Sequence, residues 1–347
     1  MVTCETAASF GREPSDAALA DIVQILSARN QGLVLGTALN ENGVNSHEIE
    51  RMIQRGQLVR IRRGAYVGAS GWEQARPELR YRMFVRACVA LTERPTVLSH
   101  LSAAVIHGLP IVGPWPTTVH THEPDAAGGN SSRYVTSHRG GLVAEPVRVD
   151  GMLATSLART VIDVAAHSSF LTGVGVADQA LRREAERAEQ ERQRGVRGLP
   201  TLTKDGLREE LARVNPRVGV RKVERVINFA NSGAANVGES LSRVRIFELG
   251  FEVPEVQVHF RGGDGRDYWV DFFWRGVRKI GEFDGWHKYT RGIILGDRDP
   301  AEVVRAEKKR EDTLRKQVSS FWRWDWNEAL SPRTFARLLA EHEVPRG

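Results

Sequence analysis

The sequence predicts a multidomain chain of mixed α+β and α/β class, built in three parts. Three observations carry this. At 347 residues the chain exceeds one ordinary domain, so two or three are expected. Its N-terminal fifth reads as short helices followed by a basic hairpin. Its C-terminal third reads as a helix, three strands, a helix and a strand, with acidic residues set into the strands. A charged fraction of 27% and a hydrophobic fraction of 41% are ordinary for a folded chain. No run of about 18 apolar residues occurs, which argues against a membrane span. Met1 to Pro14 lacks the apolar core of a signal peptide. Cys4 and Cys88 are too few for a disulfide framework or a zinc site, so a reducing, cytoplasmic location is the default. The net charge of +6 makes a polyanionic partner plausible, nucleic acid being the usual one.

The first part runs over residues 15–68. Ser15 can cap a helix over Asp16 to Arg29 with Leu19, Ile22, Val23, Ile25 and Leu26 on its buried side. A short helix fits Gly36 to Asn42 and stops at Gly43. A third fits Ser46 to Arg55, with Asn45 and Glu48 spaced as a capping box and Gly56 as its stop. Leu58 to Val67 then alternates as a hairpin turning at Arg63-Gly64. Three short helices and a hairpin make a winged helix-turn-helix. Arg51 and Arg55 fall on the third helix, and Arg60, Arg62 and Arg63 on the wing. These are the two elements that enter the major groove and clamp the backbone of duplex DNA.

The middle part, 71–197, mixes helices with short strands. Helices are expected over Tyr81 to Thr92, Leu101 to His107 and Thr155 to His167, and strands near Thr118 to Thr121 and Tyr134 to Ser137. His100, His107, His120, His122 and His138 follow no metal-ligand spacing, so local hydrogen bonding is their default role. The mixed-sign run from Gln179 to Gly198 reads as a solvated helix leading into a linker, and 198–237 as a helical linker to the last part.

The last part, 238–347, carries the chemistry. A helix is expected from Glu239 to Leu249, then strands at Phe251 to Phe260, around Asp271, and over Lys279 to Asp284. A charged helix follows over Ala301 to Gln317, and a tryptophan-rich strand over Phe321 to Trp326. Strand alternation puts Glu282 and Asp284 on one face. A hairpin joining the two acidic strands brings Asp271 near it. Carboxylates crowded together repel unless a hard divalent cation sits among them. Trp269, Trp274 and the final tryptophans are expected in the core rather than as base-stacking platforms.

This order of elements, with Val270-Asp271-Phe272-Phe273-Trp274, Gly281-Glu282-Phe283-Asp284-Gly285 and Glu307-Lys308-Lys309-Arg310-Glu311-Asp312-Thr313-Leu314-Arg315, resembles the PD-(D/E)XK restriction-endonuclease-like superfamily. Within it, the likeness is nearest to domains related to very-short-patch-repair endonucleases, and it covers about the last hundred residues. The N-terminal half, through Thr96 to Ala104, Gly108-Leu109-Pro110 and Thr155-Ser156 with Arg159-Thr160-Val161 and Asp163, resembles the AbiEi-type antitoxin and regulator proteins. The nuclease resemblance implies Mg²⁺ or Mn²⁺ held by Asp271 and Glu282, with Glu239 as the helix acid. Asp284 stands where that superfamily has a lysine, so Lys288 or Lys308 is left to supply the charge. Arg310 and Arg315 are expected as phosphate contacts. Together the resemblances imply a DNA-binding regulator joined to a metal-dependent nuclease-like domain, or else a non-enzymatic antitoxin or repressor with a degenerate nuclease fold. A weaker third option acts on RNA. Duplex DNA, a cognate toxin and a second copy of the chain are the expected partners.

Overall fold

The computed structural model describes residues 16–123, 132–139, 145–198, 201–216, 218–285 and 300–347. The N-terminal unit comprises α1 (Asp16–Arg29), β1 (Leu33–Leu35), α2 (Gly36–Glu41), α3 (Ser46–Gln54), β2 (Leu58–Arg62) and β3 (Ala65–Gly68). Its sheet has the order β1-β3-β2, which ties the wing to the helices. The capping box forms as expected. Asn45 Oδ1 accepts from the Glu48 amide at 3.0 Å, and Glu48 Oε2 accepts from the Asn45 amide at 2.7 Å. Leu19, Leu39, Ile49, Met52 and Leu58 meet in the core. Ile25, expected on the buried side of α1, is 51% exposed.

The middle unit comprises α4 (Ala69–Gln74), α5 (Pro77–Ala90), β4 (Val97–Leu98), α6 (His100–Ile106), β5 (Val119–His122), β6 (Val135–His138), β7 (Val147–Val149), β8 (Met152–Ala154) and α7 (Leu157–His167). Its five strands run in the order β6-β5-β4-β8-β7. The β4–β8 and β5–β6 pairs are parallel.

The run from Gln179 to Gln193 is the second half of a longer helix, α8 (Phe170–Gln193), and residues 194–198 follow it as turn and coil. Only its second half is solvated. Leu171, Val174, Val176, Ala177 and Ala180 in the first half are buried. The stretch read as a linker is packed structure too. In α9 (Lys204–Val214) and α10 (Val220–Phe229), Leu207, Val223 and Val226 are fully buried. The charge density of α8 hid this, because its apolar residues precede the charged run instead of alternating with it.

α11 (Val237–Glu248) leads to β9 (Glu255–Arg261), β10 (Asp267–Trp274) and β11 (Lys279–Phe283). After them come α12 (Pro300–Arg315), β12 (Ser320–Trp324), α13 (Trp326–Leu330) and α14 (Pro332–Glu341). The expected helix, three strands, helix and strand are therefore present. The sheet order is β12-β11-β10-β9, with β11 and β12 parallel and the other pairs antiparallel. One apolar core runs from Leu109 through α7–α11 into Phe272, Trp274, Trp322 and Trp324. Trp326, expected on the last strand, instead opens α13. Among the described residues no helix is long and apolar enough to cross a membrane.

Candidate functional site

The site is set by how closely α11 lies on the sheet. Gly238 makes that approach: a Cβ there would fall 2.0 Å from Phe283 Cε1. The next residue, Glu239, is thereby pressed against the strands and buried. On the sheet side, Gln257 adopts φ 50°, and β9 and β10 both change layer at this point. Val258, Phe260, Tyr268 and Val270 pack with Leu314 of α12. Val256, Phe272 and Trp274 pack with Leu241 and Val244 of α11. Asp271 stands at this reversal, within reach of both layers.

Gln257 holds the first two acids together. Its Nε2 donates to Glu239 Oε2 at 3.1 Å and to Asp271 Oδ1 at 3.0 Å. Glu239 also accepts from the Ala235 amide and Asn236 Nδ2, both at 2.7 Å, and Asp271 Oδ2 accepts from the Phe283 amide at 2.9 Å. Burial, and then the charge on Asp271, pushes the Glu239 carboxyl up to about 7. Burial likewise raises Asp271, with the Phe283 amide opposing. A buried and a half-buried carboxylate that share one amide group, with no cation bonded between them among the described residues, suit a hard divalent ion.

Glu282 is placed differently. It lies on the α12 side and is clamped by two guanidiniums. Arg310 Nη1 meets Glu282 Oε2 at 3.1 Å, Arg310 Nη2 meets Oε1, and Arg323 Nη2 meets Oε2 at 3.2 Å. Glu307 accepts from both arginines. Burial raises the Glu282 carboxyl and Arg310 opposes it. Asp284 sits at the rim, 3.9 Å from Arg323. Lys288 lies outside the described residues. Among those described, no group of three or more His, Cys, Asp or Glu is placed to hold a metal ion together. The structure therefore joins Glu239 to Asp271 and leaves Glu282 to its arginines.

The arginines also depart from expectation. Arg310, read as a phosphate contact, turns inward because Glu282 and the Trp269 carbonyl, 2.8 Å away, both accept from it. Arg315 pairs with Glu311 on its own helix at 2.7 Å. On the N-terminal unit, Arg51 is half-buried, Arg55 pairs with Asp16 at 2.6 Å, and Arg60 pairs with Glu50 at 2.5 Å. Arg62 faces the middle unit, its guanidinium 4.8 Å from the Tyr134 ring centroid. Arg63 is exposed at the turn of the wing. Trp269, expected in the core, is 56% exposed, on the strand that carries Asp271.

Sequence reasoning missed two groupings. Gln257 and Arg323 are the partners that organise the acids. Arg323 was legible as the polar residue between two buried tryptophans, but no pattern marked the left-handed backbone at Gln257. The histidines are not scattered either. His100, His120, His138 and His167 converge from α6, β5, β6 and α7, with His100 and His138 ring centroids 3.6 Å apart. Burial and mutual repulsion hold His138 down to about 4 and His100 lower still.

No family model matches the chain. It is similar to two uncharacterized proteins of Mycobacterium tuberculosis, MT2308 of strain CDC 1551 / Oshkosh and Rv2248 of strain ATCC 25618 / H37Rv. Each is 26% identical over 160 residues, 46% of this chain and 49% of the relative. The chain thus spans about half the length of the curated relatives it matches. Among solved structures, the RV2827C protein of Mycobacterium tuberculosis aligns with 65% of this chain and 80% of its own, at 15% identity. The TM-score of that superposition is 0.35.

Proposed function

We propose that this chain is a DNA-binding protein in which an antitoxin- or regulator-like N-terminal half, headed by a winged-helix reader, is joined to a nuclease-like domain with a divalent-cation site. The observation that supports the reader is topological. Helix, strand, two helices and a two-stranded wing share one sheet of order β1-β3-β2, with Ser46, His47, Glu50 and Gln54 exposed along α3 and Arg63 at the wing turn. An exposed helix face beside a basic wing suits a major groove and its flanking phosphates. The nuclease-like reading rests on the αβββαβ order and on the Glu239–Asp271 pair. Those two acids would hold Mg²⁺ or Mn²⁺, and the bound ion would supply a Lewis acid beside a phosphodiester. Glu282 joins them only when Arg310 and Arg323 release it. The test is plasmid nicking with Mg²⁺ or Mn²⁺ by wild type and by Asp271→Ala. Nicking that survives the substitution, or that neither metal elicits, removes the nuclease half of the proposal.

One observation favours a second reading, a repressor or antitoxin without catalysis. The two-arginine clamp on Glu282, together with Asp284 in the lysine position, leaves the third acid neutralised by protein. Under that reading a cognate toxin or a second copy of the chain is the protein partner, and DNA binding by wild type is undiminished by Asp271→Ala in a gel shift.

A further inference from the structure

We propose that the middle unit carries a second, separate metal site: a late divalent transition-metal ion of the zinc, nickel or cobalt class, chelated by His120 Nδ1 and His138 Nε2 with His167 beside it. The inference is independent of the DNA and nuclease readings, since none of these residues belongs to the winged unit or the acid site.

The geometry of the quartet carries the proposal. His120 and His138 project from neighbouring parallel strands, and their Nδ1 and Nε2 atoms are 2.8 Å apart. With bonds of about 2.05 Å, two cis nitrogens stand about 2.9 Å apart on an octahedral ion and about 3.3 Å apart on a tetrahedral one, so the pair needs to open by no more than about half an ångström to chelate. A direct hydrogen bond between two imidazoles satisfies one nitrogen of each with one shared proton, and a metal ion takes that place when the proton moves to the other nitrogen of its ring.

The other two rings are arranged as supports. The Asp163 carbonyl only accepts, so His167 Nδ1, 3.0 Å from it, carries a proton. That nitrogen is also 3.2 Å from His100 Nε2, which therefore accepts, and His100 Nδ1 then donates to Ser99 Oγ at 3.0 Å. The chain of bonds fixes both tautomers, as outer partners do around metal-bound histidines. It leaves His167 Nε2 free of that chain, on the most exposed ring of the quartet, with His120 and His138 half-buried. His100 takes a left-handed backbone, φ 50°, to place its ring against His138. No three ligands yet surround one point among the described residues, so the ion is held first by the His120–His138 chelate and water, with His167 swinging in. An all-imidazole donor set selects late transition metals over Mg²⁺, which prefers oxygen.

The test uses the full chain. It is loaded with Zn²⁺ in the presence of excess Mg²⁺, desalted and assayed for bound metal, for wild type, His120→Asn with His138→Asn, and Asp271→Asn. Wild type and Asp271→Asn should each retain one zinc per chain and the double variant none. Retention by the double variant, or no retention by wild type, overturns the site. X-ray absorption at the zinc edge of the wild type decides independently of whether the double variant folds. Imidazole scattering from at least two rings is expected, and its absence is fatal to the proposal.

Discussion

Arginine–carboxylate pairs occur at both ends of this chain, and their surroundings make them different objects. On the N-terminal unit, the side chains of Arg60 and Glu50 are 44% and 49% exposed. In the acid site, Arg310 and Glu282 are 20% and 9% exposed. An exposed pair is screened by water and salt and contributes about 0–1 kcal/mol, so under the DNA-binding proposal a phosphate would displace the carboxylate. A buried pair has lost its hydration, and separating it strands a charge in a poor solvent. The same residue types thus make an exchangeable surface at one end and a fixed strut at the other.

The deepest such pair should give the largest effect. Asp178 on α8 accepts from Arg243 Nη1 at 2.9 Å, Ser240 Oγ at 2.8 Å and the Asn231 amide at 2.6 Å. Asp178→Ala leaves Arg243 buried without its counter-charge, and a loss of about 4 kcal/mol in urea-unfolding free energy is expected. Arg310→Ala should cost less, about 2–3 kcal/mol, because Arg323 still reaches Glu282. A smaller loss for Asp178→Ala than for Arg310→Ala would break the ordering by burial.

The acid pair gives a pH test of the same contrast. Glu239 in the folded chain titrates at about 7, against an ordinary value of 4.5. Between those values the folded site keeps a proton that the unfolded chain has released, so its contribution is full below about pH 4.5 and is lost as pH rises through about 7. Urea midpoints measured at pH 5 and pH 8 should fall more for wild type than for Glu239→Gln, which cannot ionise. Equal falls would mean that the carboxyl is not held up by burial. Added Mg²⁺ should recover part of the loss at pH 8 in wild type only, since it binds the ionised folded form.

Much of the fold was legible because local and long-range preferences agree. Asn45 and Glu48 announce their helix by spacing alone, and the strand around Asp271 shows itself through β-favouring aromatics between turns. What escaped was set by tertiary contact. β1 is three residues long, too short for a period, and exists because β3 offers it a partner. α8 carries its apolar residues in one block, so its charged half was read as a solvated helix while its buried first half went unread. The acids of the site were legible by type and strand position. The partners that decide their state, Gln257, Arg310 and Arg323, come from three other elements, and no sequence spacing relates them. The four histidines were lost to the same cause, separated by up to 67 positions yet in ring contact.

The smallest expected effects on stability belong to the wing, and they bear most directly on the DNA reading. Arg60→Ala should change unfolding free energy by no more than about 0.5 kcal/mol because its pair is solvated, and Arg62→Ala by about 1 kcal/mol because it gives up the contact with the Tyr134 ring. On duplex DNA they should diverge. If Arg60 exchanges Glu50 for a phosphate, Arg60→Ala lowers the slope of log K against log salt by about 0.9, the value of one released counterion. Glu50→Gln frees the guanidinium and should strengthen binding at low salt. Arg62 is held over Tyr134 and reaches no groove, so Arg62→Ala should leave the slope unchanged. Fluorescence-anisotropy titrations across a salt series measure all three. An Arg62→Ala slope that drops as far as that of Arg60→Ala would show that the wing opens away from the middle unit when it meets DNA, and the division between exchangeable and fixed arginines would then have to be redrawn at that residue.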